Sequence, residues 1–372
     1  MNLKHVLAIA ALFASQFGFA QELAQVTSNK KAGFINKSGD EVIALQFEKV
    51  GDFNDAVAPV LQNKKWGFID EQGNWVIEPT FDRVKAFDHG VAVVAQGSTW
   101  FYINKKGERL NLVSTDKIYD FEDGLAFFKQ NNKIGIISPD GKEVLAPKYD
   151  LIRKFDGDYA RVKNFERWGI IDKSGKEVIP ADYNEIGNYM NGSAYAKKGT
   201  QFGVVVQGEF KGLEAVDKIW DFSTDGLAYA RKNKKIGFID TKGNWVVEPQ
   251  YDKARSFVNG LAPVYNGSKW GYIDTKGNLV VEYQFEDAEV FSNDGLAPVK
   301  VGKNWGFIDK SGKLVIPAQY SITAFGLDMF DADSKGFING VARVKFNKTW
   351  GFIDTEGNVV GKWYDNAELF SK

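Results

Sequence analysis

The chain has 372 residues, 47 basic and 48 acidic side chains, two His, 38 Gly, 14% aromatics and no Cys. The missing Cys excludes a disulfide framework, a thiolate nucleophile and a zinc–thiolate site. The near-neutral charge excludes a general nucleic-acid or acidic-membrane surface, both of which need a basic excess.

The first twenty residues read as an address. A short start carrying Lys4 leads into an apolar run over residues 6–14, and Gly18-Phe19-Ala20 places small residues at the positions a signal peptidase reads. The expectation is a signal peptide over 1–20, cleaved between Ala20 and Gln21, and an exported chain that is secreted, periplasmic or on the cell surface. The apolar core is too short to span a bilayer comfortably, and no later stretch approaches spanning length. No membrane insertion of the mature chain is expected.

Residues 21–372 are one unit written ten times. The anchor is a Trp-Gly dipeptide, as in Lys65-Trp66-Gly67-Phe68-Ile69-Asp70. Its glycine position is occupied by Gly33, Gly67, Phe101, Gly135, Gly169, Gly203, Gly237, Gly271, Gly306 and Gly351. The first seven steps are 34 residues, the eighth 35 and the ninth 45, so an insertion falls at about 321–338. Fixed self-similarity of this length marks a repeat architecture rather than several unrelated domains.

One unit predicts three strands. Leu261-Ala262-Pro263-Val264 is a short first strand, and Trp270-Gly271-Tyr272-Ile273-Asp274 is the second. Asp274-Thr275-Lys276-Gly277 has the residues of a type I turn, and Leu279-Val280-Val281 is the third strand. Pro at positions such as Pro79, Pro147 and Pro249 is expected to end the ladder. Both residues after the anchor glycine are apolar in every copy. Because neighbouring strand residues face opposite ways, the second strand is buried on both faces and central. The first strand admits Pro59, Pro263 and Pro298, which suits an edge. Three strands bury too little alone, so neighbouring units must cover one another. The recurring alanines (Ala58, Ala92, Ala126) and the anchor glycine are read as sites of close approach between units.

The fold class expected is all-β: a tandem array of about ten ~34-residue, three-stranded antiparallel units. The chain ends at the second aromatic position of its last unit, Phe370, with no evident leftover strand. An open stack or spiral is therefore favoured, with a β-propeller-like ring as the alternative.

The unit Lys-Trp-Gly-Phe-Ile-Asp-x-x-Gly-x-x-Val-Ile-x-Pro-x-Phe/Tyr-Asp, followed by Phe-x-x-Gly-Leu/Val-Ala-x-Val, resembles the bacterial WG-repeat (KWG-repeat) family over essentially all of 23–372. The resemblance implies β-rich repeats in surface or secreted bacterial proteins with a binding or scaffolding role, and it implies no reaction. Ala32, Phe101 and the sixth unit, Phe202-Gly203-Val204-Val205-Val206, depart from the pattern, and those units are expected to be distorted.

Candidate chemistry is sparse. His89, the one histidine beyond the leader, reads as a loop residue. Asp70, Asp172, Asp240, Asp274, Asp309 and Asp354 recur once per unit at a turn start, so they read as turn caps rather than an acid/base pair. Asp331-Ala332-Asp333-Ser334-Lys335-Gly336 loosely echoes a calcium loop but lacks the third acid and the closing Glu. No catalytic residue, metal site or cofactor is expected. Trp66, Trp100, Trp168, Trp270, Trp305 and Trp350 are assigned to the repeat core. Trp75 and Trp245 open the third strand, where other copies have Glu41 or Glu143, and are the candidate exposed contacts for a protein or glycan.

The function expected is an exported, non-catalytic binding or scaffold protein with a protein or glycan partner and no nucleic acid. The alternatives are a carboxylate-based carbohydrate-active enzyme and a purely structural envelope protein.

Overall fold

A computed structural model describes residues 22–321 and 336–371. The leader over 1–20, Asp331, Asp333 and Lys335 of the calcium-like stretch, and most of the insertion lie outside the described residues. Among the described residues every regular element is a β-strand, and the strands form ten four-stranded sheets.

Blade 8 shows the pattern. Leu261–Tyr265, Trp270–Asp274 and Leu279–Phe285 are the expected first, second and third strands, with the second in the middle. A fourth, Lys253–Ala254, pairs with the outer side of the first strand. This lead strand belongs to the preceding repeat: the third strand Trp245–Tyr251 passes through one residue, Asp252, and pairs in the next blade. The first strand is therefore not an edge. Its prolines survive because their N–H-less side faces the end of the short lead strand, where only a carbonyl is needed. Pro59, Pro263 and Pro298 each accept a backbone N–H there, from Gly51, Arg255 and Glu289.

This offset decides the global shape. Every repeat lends its tail to the blade that follows, so the tail of the tenth repeat needs a blade too. Asn366–Ser371 pairs antiparallel with Leu23–Ser28, with Leu23 opposite Ser371 and Val26 opposite Ala367. The ring closes, and the protein is a ten-bladed β-propeller. The open stack favoured from the sequence is corrected: the strand thought to be missing is the tail that carries Phe370.

The core is a set of ten interfaces. Phe68 and Ile69 are consecutive and fully buried, yet they serve different cores. Phe68 packs with Phe87, Ala92 and Val94 of blade 3, whereas Ile69 packs with Leu23, Phe34 and Ile43 of blade 1. Each blade thus contributes one face of its second strand to each neighbour, as a central strand must. The second aromatic of each unit lies against the residue after the anchor glycine one blade back. Centroids are 4.7 Å apart for Phe34–Phe53, Phe68–Phe87 and Phe238–Phe257, and 4.8 Å for the closing pair Phe352–Phe370. The seam is built as the other interfaces are.

The anchor glycine has a more specific role than smallness between units. Pairing of the second and third strands shifts register at this point: Trp66 is opposite Phe81 and Phe68 opposite Ile77. The third strand crosses directly over Gly67. A Cβ there would lie 2.5 Å from the Ile77 carbonyl oxygen and 2.8 Å from the Pro79 nitrogen. Only glycine admits that crossing. Pro79 accordingly sits inside the strand Trp75–Phe81, at the register shift, and does not end it. Where Phe101 replaces the glycine, the third strand shrinks to Arg109–Leu110. In the sixth blade a tight Gln207-Gly208 turn, both residues at positive φ, leads into the short strand Glu209–Gly212 with no register shift. Ala32, the third departure, leaves the ordinary pairing to Phe47 intact.

Candidate functional site

The repeated side chains are consumed by the cores and turns. Asp70 Oδ1 accepts the N–H groups of Gln72 and Asn74, and the same pattern recurs at Asp172, Asp240, Asp274, Asp309 and Asp354. Hydrogen bonds from Asn278 and from Ser311 hold the Asp274 and Asp309 carboxyls below the usual carboxylate range, opposite to what a general acid needs. His89 is exposed at a hairpin tip, its Nδ1 2.8 Å from Asp88. Asp88 itself is buried and accepts the N–H groups of Asp123 and Gly124 in the next blade. Among the described residues no group of three His, Asp or Glu side chains is placed to hold a metal ion.

The tryptophans differ from the sequence assignment in degree. Trp270 is buried, but Trp66, Trp100, Trp168, Trp305 and Trp350 are half-buried at the rims of the cores. Several carry a cation on the open face: Arg83 on Trp100, Arg255 on Trp270 and Arg343 on Trp350, at 4.7, 4.7 and 4.1 Å from the ring centroids. The fully buried plugs are instead the residues after the glycine, such as Phe68 and Tyr272. Trp75 and Trp245 are also half-buried rather than exposed. Trp75 meets Phe47 of the preceding blade edge-on at 5.9 Å, and Trp245 packs against the core of blades 6 and 7. A column that accepts Glu elsewhere becomes a lid when it carries Trp, because the indole is long enough to reach back over the neighbour's third strand.

The variable chemistry gathers on the lead-strand side. Two positions meet there in blades such as 5, 6 and 8: the third residue of the first strand, and the residue after the lead strand, whose N–H bonds to it. Gly187 donates to Tyr195, Arg153 to Arg161 and Arg255 to Pro263 in this way. These side chains face the corresponding ones of the next blade. At the seam Arg343 pairs with Glu368 at 3.3 Å. Between blades 8 and 9, Arg255 pairs with Asp287 and Glu289 at 3.0 and 3.2 Å. Lys85 and Asp120 pair at 3.6 Å between blades 3 and 4.

Between blades 5 and 6 this pairing fails. Arg161 stands where the tenth blade has Arg343, but the position of Glu368 is taken by Gly187. A Cβ at Gly187 would collide with the Tyr195 ring and the Asp221 carboxylate, at 2.3 and 2.4 Å. Glycine is thus enforced there, and residue 187 itself supplies no counter-ion side chain. The result is a cleft of about 400 Å³ lined by Arg153, Arg161, Trp168, Glu185, Ile186 and Tyr195. The Tyr195 hydroxyl donates to Glu185 at 3.1 Å, and burial pushes its pKa well above that of an ordinary phenol. Asp221 accepts the Asn188 N–H at 2.7 Å, and burial raises its carboxyl above the ordinary value while Arg161 pulls the other way. Sequence reasoning missed this group. The available signal was a charged residue, Arg161, in a column where other copies have Pro59, Val93, Phe127 or Pro263.

The ring and its repeat define a class, the β-propellers built from one short recurrent unit. The WG-containing-repeat family matches over 33–66, 66–100, 116–133, 134–164, 168–199, 236–270, 270–305 and 305–322, and the chain belongs to that family. The unmatched stretches include the third blade's shortened strand and the sixth blade's altered turn. No functionally curated protein matches the chain. Among solved structures, a eukaryotic initiation factor is similar at TM-score 0.45 and 10% identity, over 80% of this chain and 95% of that one. The dihydro-heme d1 dehydrogenase NirN is similar at TM-score 0.35 and 13% identity, over 80% and 73%. Kluyveromyces lactis Hsv2p is similar at TM-score 0.29 and 9% identity, over 61% and 92%. Likenesses this weak carry no functional argument. Among the described residues no helix is long and apolar enough to cross a membrane.

Proposed function

We propose that this protein is an exported, non-catalytic binding scaffold that engages a protein or glycan partner through the lead-strand side of its ring. One observation carries the reading: repeated side chains fill cores and turns, while the side chains that vary from blade to blade collect on that side as aromatic and charged pairs. Repetition there would give a uniform surface; variation gives a surface able to distinguish partners. The leader-like residues 1–20 support export. The turn carboxylates support a non-catalytic role, since their hydrogen bonds stabilise the charged form. Among the described residues, the two carboxyls held above their ordinary range by burial, Asp52 and Asp221, belong to blades 2 and 7, whereas a glycosidase needs its pair across one bond.

The test is cell fractionation with N-terminal sequencing of the purified protein, followed by crosslinked capture from the envelope. A mature chain starting at Gln21 and a saturable partner that competes with free protein are expected. A cytoplasmic chain retaining Met1, or turnover of a glycan substrate by the purified protein, would overturn the proposal.

A further inference from the structure

Resting on the binding reading above, we infer that the cleft between blades 5 and 6 is a binding site for an acidic sugar, a hexuronate residue of a glycan, held by its carboxylate on Arg161 and Arg153. The first support is the unmatched charge. Neither arginine has a carboxylate within ion-pairing distance among the described residues, and Arg153 makes only a stacking contact, 5.7 Å above Trp168. At the two comparable arginines of the ring, Arg255 and Arg343, a carboxylate from the next blade fills this role. Arginine forks match a carboxylate in two parallel hydrogen bonds, so the ligand supplies the group that Gly187 cannot.

The second support is what surrounds the pair. Glu185 is an acceptor whose charge is balanced by Lys218 at 3.5 Å, and Asp221 is a buried carboxyl beside Gly187 on which Arg161 acts. These oxygens disfavour a dianionic phosphate more than a singly charged carboxylate, and they would accept hydrogen bonds from the hydroxyls of the same sugar ring. A free amino acid would bring an ammonium to the same acceptors, but Lys218 already occupies Glu185 and burial disfavours the charged form of Asp221. Hydroxyl groups need no such charge. Trp168 and Tyr195 provide apolar walls against which the C–H face of a pyranose rests. The volume of about 400 Å³ suits one or two sugar rings, within the range of small-ligand sites.

The experiment is calorimetric titration of the full mature protein with oligogalacturonate or oligoglucuronate, with the neutral oligosaccharide of equal length and with free glutamate. Saturable binding of a uronate oligomer is expected, weakened about tenfold or more by Arg161→Gln. Binding should be unchanged by Lys276→Gln, a like-charge removal at an exposed turn of blade 8. Thermal unfolding checks that each variant folds, and Gly187→Ala, whose Cβ would displace the Tyr195 ring or the Asp221 carboxylate, should likewise weaken uronate binding in a folded variant. Equal affinity for the neutral oligomer, tighter binding of glutamate, or insensitivity to Arg161→Gln in a folded variant would overturn the assignment. Absence of uronate binding in a protein that still captures an envelope partner would overturn the sugar site and leave the scaffold reading standing; failure of both would remove the two together.

Discussion

Blades 2 and 3 are adjacent, share a core and differ at one decisive position. Blade 2 has Gly67, and its third strand runs seven residues, Trp75–Phe81, across the second strand. Blade 3 has Phe101, and its third strand stops after Arg109–Leu110. The aromatic ring occupies the place over which the backbone would pass, packing on Phe81 at 6.3 Å and under Arg109 at 4.9 Å. The interface survives regardless, because Tyr102 and Ile103 still point into their two cores. The glycine therefore governs the path of the edge strand, while the two residues after it govern stability between blades.

That division can be tested by four substitutions. Gly67→Val should be the most damaging, at about 4–5 kcal/mol or outright failure to fold, since the clash is with backbone that has nowhere to move. Chemical denaturation measures it, and a loss near zero would mean the third strand can lift off at little cost. Phe68→Ala empties a fully buried site shared with Phe87 and should cost about 3–5 kcal/mol. A loss below about 1 kcal/mol would show that the interface collapses around the gap. Trp75→Ala removes a half-buried indole from Phe47 and should cost about 2 kcal/mol, intermediate between core and surface. An unchanged melting curve would return that column to the surface. Arg109→Ala loses only an exposed cation–aromatic contact, about 0.5 kcal/mol. A loss several times larger would mean that the guanidinium holds the truncated strand in place.

Much of the fold can be read from period and polarity. The doubly apolar second strand, the Asp-started turns and the dependence of each unit on its neighbours follow from alternation alone. What the period does not disclose is the frame in which the chain is cut into blades. Repeats and blades have the same length, but the lead strand is displaced into the following blade, and two residues such as Lys253 and Ala254 are too few to announce a strand. Hence the prolines of the first strand suggested an edge and Phe370 suggested an ending. The site was less legible still. Arg161 is visible as an oddity in its column, but Gly187 looks like any other glycine until the seam shows Glu368 in its place. Trp75 and Trp245 drew attention because tryptophan is conspicuous, although length lets both fold back over a neighbour.

Leu23 and Ser371 face each other in the closing sheet as Val57 and Asn54 do in blade 2, and Phe370 lies on Phe352 as Phe53 lies on Phe34. The order in which the blades are synthesised is accordingly not encoded in the native contacts. A short linker joining the two ends, with new ends placed at any solvent-facing hairpin such as Asn233-Lys234, would leave all ten interfaces with their native partners. Such circularly permuted chains should refold to the same ring, with the asymmetry of the gene moved from one joint to another.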